Sequence, residues 1–260
     1  MVYVARDWCD LNELLFGDSW NEGLGRFRST WVFRGVPVST DELRTSLYRE
    51  GREYDKVESH MLRAFRKYAR ADSTVGGTVW NLLAVAQHHG LPTRLLDWTY
   101  SPLVGLHFVT ADMDRFHDDG AIWSVDCARV REDLPPGLAQ MLRKEGSLVF
   151  TAEMLHRAAD SLEEFEALSA TEFAVFFEPP SLDERMVNQY ALFSLMSSPT
   201  GILSSWLAER PELYRKIIIP ARLKREVRDK LDQANVTERV LFPGLDGLSR
   251  WLARYYSPKG

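Results

Sequence analysis

QHHGLPTRLLDWTYSP, residues 87–102, gathers an amide, two imidazoles, a guanidinium, a carboxylate and several hydroxyls into one short passage. Just upstream, Trp80, Leu83, Ala84 and Gln87 fall on one stripe, which predicts a helix over 79–88 that Gly90 and Pro92 end. Gln87 is then a polar group at the end of an apolar face and needs hydrogen-bond partners. Residues 94–99 read as an extended run. Ser101 and Pro102 have the form of an N-cap followed by proline at the first helical position, opening a helix over 102–110. A strand that runs straight into a helix N-terminus presents unpaired backbone donors to an anion. Polar groups this dense are costly to bury unless they serve one another or a ligand. Two readings follow: a ligand site, or a hydrogen-bonded corner in which Asp97 pairs with Arg94 or caps a turn.

Outside the block, RSTWVFRGV at 28–36 predicts a strand through Trp31, Val32, Phe33 and Arg34, broken by Gly35 and Pro37. Val57, Met61, Phe65 and Tyr68 recur at helical spacing and predict an amphipathic helix over 53–70. Further strands are expected over 121–125, 173–177, 189–195 and 216–219. Helices are expected over 138–144, 152–170, 201–209, 223–234 and 245–255. The elements alternate irregularly, which favours an α+β fold, a mixed β-core flanked by helices, over a regular βαβ wind. Without repeats, low-complexity tracts or an evident linker, the chain reads as a single domain, with 1–27 as an N-terminal helical extension.

With 45% hydrophobic and 27% charged residues the composition is that of a globular protein. The opening segment has no basic stretch followed by an apolar run, and no later stretch approaches the roughly 18 apolar residues of a membrane span, so a cytoplasmic protein with no membrane partner is expected. Cys9 and Cys127 stand far apart and read as ordinary buried or half-buried thiols. A net charge of −5 works against gathering a polyanion. Local exceptions are Arg63, Arg66, Lys67 and Arg70 in one predicted helix and Arg222, Lys224, Arg225 and Arg228 in another, faces that read first as solvated surface.

Several chemistries lack their motifs. His88 and His89 are adjacent and cannot share one metal, and no histidine pair stands at metal-ligand spacing. No nucleophile elbow, phosphate-binding loop or dinucleotide fingerprint occurs. Arg34, beside Gly35, has a side chain suited to phosphate or carboxylate, and the glycine permits close approach by a ligand or another backbone; a structural salt bridge is the plainer reading. Arg185 and Gln189 stand at i and i+4 and would share a face if helical, although Gln189 reads as the start of a strand.

Three segments, Phe33-Arg34-Gly35, the block from Gln87 through Pro102 to Phe108, and Arg185-Met186-Val187-Asn188-Gln189-Tyr190-Ala191-Leu192-Phe193, resemble the signatures of the FRG-domain family. Residues 216–220 and 241–247 are similar to its C-terminal landmarks, so the resemblance runs from about Arg28 onward. The family's layout in turn resembles ADP-ribosyltransferases. That resemblance implies NAD as substrate, with Arg34 against its phosphates or ribose and Thr99 and Ser101 near the nicotinamide ribose. Arg34, Gln189 and Asp97 become the implied catalytic set, and Gln87, His89, Thr93, Arg94, Thr99 and Ser101 join Arg34 as the implied nucleotide-binding set. Such transferases carry a glutamate where this chain has Gln189. An amide holds a hydroxyl but takes no proton, which leaves Asp97, Glu184 or a histidine of the 88–89 pair to act as base.

Three functions are therefore in contention. One is an enzyme that cleaves NAD or transfers ADP-ribose to a macromolecule, a protein or nucleic acid, in a bacterial or phage conflict setting implied by the resemblance. The second is a non-catalytic nucleotide or nucleic-acid binding module, and the third a protein-interaction domain whose polar block is a structural corner.

Overall fold

Gly120–Asp126 is buried along its whole length, the pattern of a strand covered on both faces, and it lies near the middle of a mixed eight-stranded sheet. The computed structural model describes residues 1–49, 52–53, 55–69, 77–179 and 184–257. In chain order its strands are β1 (Val2–Val4), β2 (Trp20–Asn21), β3 (Arg26–Phe27), β4 (Trp31–Val36), β5 (Tyr48–Arg49), β6 (Arg52–Glu53), β7 (Leu96–Thr99), β8 (Gly120–Asp126), β9 (Phe150–Thr151), β10 (Ala174–Glu178), β11 (Ala191–Met196) and β12 (Tyr214–Ile219). The helices are α1 (Trp8–Phe16), α2 (Glu58–Tyr68), α3 (Val79–His88), α4 (Pro102–Val109), α5 (Cys127–Val130), α6 (Pro136–Glu145), α7 (Ala152–Ala158), α8 (Leu162–Glu166), α9 (Glu184–Asn188), α10 (Leu203–Ala208), α11 (Ala221–Gln233), α12 (Glu238–Leu241) and α13 (Leu245–Tyr255). The sheet order is β1-β12-β8-β4-β7-β11-β10-β9, antiparallel except at its two edges, where β1 joins β12 and β9 joins β10 in parallel. The fold is α+β. Among the described residues no helix is long and apolar enough to cross a membrane.

Strand alternation divides the core. Val32, Trp98, Trp123, Phe176 and Leu192 share one face of the sheet. On the other face, Phe33, Ile122 and Ile217 pack under α1, α4 and α11, while Phe177, Phe193 and Leu195 pack under α3, α6, α7 and α8. Two apolar clusters thus occupy the same side of the sheet, one on each half.

Several expectations change. Residues 1–27 supply α1 but also β1, whose residues pair with Lys216, Ile217 and Ile218 of β12, so the segment is built into the sheet. The helix expected over 152–170 breaks at Ala159, which is extended, and restarts at Ser161, whose hydroxyl accepts from the Glu164 N–H while the Glu164 carboxylate accepts from the Asp160 N–H. Cys9 is exposed and Cys127 buried. The expected basic face of α11 is partly interior: Lys224 is fully buried and donates to the carbonyls of Pro37 and Arg115, and Arg228 is also buried. Arg70, the last residue of the helix expected over 53–70, lies outside the described residues.

Helix α4 sits unusually close to β4. A Cβ built on Gly35 would lie 2.0 Å from the Gly105 carbonyl oxygen, and one on Gly105 would lie 2.7 Å from Ile122 Cδ1. The approach that Gly35 permits is therefore that of another backbone. Gly35→Ala is expected to destabilise the fold by about 3 kcal/mol or to prevent folding, because helix backbone cannot yield as a flexible side chain would; chemical denaturation measures it.

The far side of α4 carries His107, fully buried, whose Nδ1 lies 2.9 Å from Arg228 Nη1. Arg228 and Arg254 both reach Asp232, and Arg254 also grips Glu238, tying α4, α11, α12 and α13 together. Burial and then the Arg228 charge lower the His107 pKa from 6.5 to about 4. The neutral ring stabilises the fold above the unfolded value, and that contribution is lost as pH falls from 6.5 towards about 4. His107→Asn, which keeps an acceptor for Arg228, is expected to flatten this part of the stability profile measured by denaturant titration across pH.

Candidate functional site

β4 and β7 touch at a single pair, Phe33 with Thr99. β4 remains in register with β8 along its length, and β7 with β11, so the sheet opens a seam between two intact halves. The seam leaves the Asp97 carbonyl without a strand partner on the β4 side, and Arg34 Nη1 donates to it. The same guanidinium lies 3.9 Å from the Asp97 carboxylate, while its Nε is buried and makes no hydrogen bond. Burial pulls the Arg34 pKa down, with the Asp97 charge opposing and Arg49 adding to the fall. A cation in this state is under-compensated and suited to an anion or an electron-rich oxygen.

Around the guanidinium lies a cleft of about 170 Å³, lined by Phe33, Asp97, Thr99, Phe108, Arg185 and Gln189 among others. Of the expected site residues, Arg34, Asp97, Thr99 and Gln189 come together here. Gln87 stands one layer back: its amide nitrogen donates to Asp97 Oδ2 at 2.9 Å and its carbonyl accepts from Thr93 Oγ1 at 2.6 Å, which fixes the carboxylate through a side chain on α3. The other expected residues do not line the cleft. Arg94 is 4% exposed and ion-paired with Glu58, itself 4% exposed, and with Glu166, so it ties α2 and α8 to the block; Asp97 is not its partner. Thr93 is buried behind Gln87. Ser101 caps α4 by accepting from the Val104 N–H, and His89 is exposed at the end of α3 with its ring against His88.

Gln189 lies in the turn between α9 and β11, ahead of the strand expected to contain it. Its N–H donates to the Arg185 carbonyl, and its own carbonyl accepts from Thr99 Oγ1 at 2.7 Å. The side-chain amide donates to the Leu241 carbonyl at 3.0 Å, and Asn188 does the same for Val240. These are last-turn carbonyls of α12, which a helix leaves free and which only a donor can satisfy. A carboxylate in place of the Gln189 amide would set oxygen against oxygen, which gives the amide a structural reason. Among the described residues Asp97 is the carboxylate lining the cleft, and Glu184 lines a neighbouring groove.

Neither Arg185 nor Phe108 is among the site residues expected from the sequence, yet both line the cleft. Phe108 lies in the block from 87 onward and could have been flagged by its place one turn beyond Gly105 on α4. Nothing local marks Arg185 as facing the seam.

Gln189→Glu is expected to lower stability by about 1–3 kcal/mol near neutral pH, with partial recovery in acid, where a protonated carboxyl again donates to Leu241. Thermal denaturation at two pH values reads both effects.

The model of the FRG domain family matches residues 29–118, a span that contains Arg34, Gly35 and the whole of the block from Gln87 to Phe108 and ends before Arg185 and Gln189. No curated protein and no solved structure matches the chain. The matched span is therefore similar to the FRG domain family, and its arginine, glycine and polar block include the residues that build the seam between β4 and β7.

Proposed function

We propose that the cleft receives the nicotinamide-ribose end of NAD and that the domain breaks the bond between nicotinamide and ribose, passing ADP-ribose to a macromolecular acceptor. The observation that carries this reading is the under-compensated Arg34 guanidinium, set in a seam whose walls also present a carboxylate, a hydroxyl and an amide carbonyl. The size of the cleft supports it. About 170 Å³ falls short of the 300–1,000 Å³ common for whole-ligand pockets and suits one end of an extended molecule.

In this reading Arg34 holds a ribose or phosphate oxygen, and Gln189 Oε1 accepts from a ribose hydroxyl. The C1′–N bond breaks with its electron pair leaving on nicotinamide, and the cationic sugar is stabilised by the Asp97 carboxylate. An acceptor lone pair then forms the new bond to C1′, and its proton passes to Asp97. Gln87 keeps Asp97 oriented through the step.

A second reading, nucleotide binding without turnover, draws on the amide at Gln189 and on the engagement of Asp97 Oδ2 by Gln87. Chromatographic detection of nicotinamide from NAD separates the two. Transfer predicts release that falls about 100-fold or more in Arg34→Ala and in Asp97→Asn, the latter with a melting temperature close to wild type because an amide still accepts from Gln87. Saturable calorimetric binding of NAD with no release would favour the second reading. Release unchanged by either substitution would remove the cleft from the reaction.

A further inference from the structure

Arg185 belongs to two concavities. Beside the cleft it lines a groove of about 520 Å³ formed with Glu184, Phe242, Asp246 and Arg250. The guanidiniums of Arg185 and Arg250 lie 5.0 and 5.5 Å from the centre of the Phe242 ring. Among the described residues neither arginine has an ion pair or a hydrogen bond, although Glu184 and Asp246 line the same groove. Phe242 also stands 6.4 Å from Phe108, which lines the cleft, so one ring orders two free cations at the border of the two sites.

We propose that this groove binds a nucleoside diphosphate group, and, resting on the reading of the cleft given above, that it takes the ADP portion of NAD while the cleft takes the other end. The donor set matches that group part by part. Two unpaired guanidiniums suit the two phosphates. Two carboxylates that neutralise neither arginine can accept from the vicinal hydroxyls of a ribose, the contact that acidic residues make in other dinucleotide sites. A planar guanidinium or the Phe242 ring offers a face on which a purine stacks. The groove volume lies in the range for a ligand of that size. Arg185, shared by both concavities, sits where the diphosphate would pass from one to the other.

Calorimetric titration of the full chain with ADP tests the groove separately from the chemistry. Wild type is expected to bind ADP saturably and to bind adenosine, which lacks the phosphates, at least about tenfold more weakly. The double variant Arg185→Ala/Arg250→Ala is expected to bind ADP about 30-fold more weakly with little change in melting temperature, since among the described residues neither guanidinium has an ion pair or hydrogen bond and each only lies over the Phe242 ring. Arg250→Glu, on the exposed face of α13, provides the same loss through a single change. No saturable ADP binding by wild type at millimolar concentration, or equal binding by the arginine variants, overturns the proposal. ADP binding that depends on the arginines without any nicotinamide release would leave the groove standing and defeat the transfer reading. Release of nicotinamide by a protein that does not bind ADP would do the reverse.

Discussion

The parting of β4 from β7 beyond the Phe33–Thr99 pair is the constraint on which the site depends. An antiparallel ladder that continued through Gly35 and Asp97 would satisfy its own carbonyls and leave no gap. Here α4 presses on Gly35 at backbone distance, β4 stays with β8, and β7 stays with β11, so the seam has rigid walls. Arg34 takes over the hydrogen bond that the missing ladder would have made. The same residue thereby closes the fold and exposes a cation, and the glycine next to it exists to admit a helix.

Around the seam, charge is spent on position. The buried Arg94–Glu58 pair, extended to Glu166, secures the block between α2 and α8. Breaking such a pair leaves an unpaired buried charge and typically costs about 3–5 kcal/mol. On the other side, Arg228, Asp232, Arg254 and Glu238 hold α11, α12 and α13 against His107 of α4. Helix α12 in turn offers the carbonyls that catch Asn188 and Gln189. Both networks hold elements that line the cleft, which fixes their side chains in place.

Much of this was legible in the sequence where the signal is local. Trp80, Leu83 and Gln87 marked α3, Ser101-Pro102 marked the start of α4, and the apolar run at 121–125 marked β8. The Ser161 to Glu164 cap was equally local and went unread inside a longer helical pattern. Partners distant in the chain could not be read. Arg94 is paired with Glu58 and Glu166 rather than Asp97, and Lys224 and Arg228 turn inward because α11 packs across α4 and the loop at Pro37. Polar density in the 87–102 block was a true signal of mutual service, and the structure divides it: Thr93, Arg94 and Ser101 serve the fold, while Asp97 and Thr99 reach the cleft. The reason for an amide at Gln189 lies 52 residues away, at Leu241.

On the proposed function, a nucleotide ligand meets Arg34 and Gln189 in the seam. The most direct measurement is a crystal structure of the full chain soaked with a non-cleavable NAD analogue. The nicotinamide ribose is expected between Arg34, Asp97 and Gln189, with the strands of the seam in place. Density for the analogue elsewhere on the molecule, with the seam empty at saturating ligand, would contradict it.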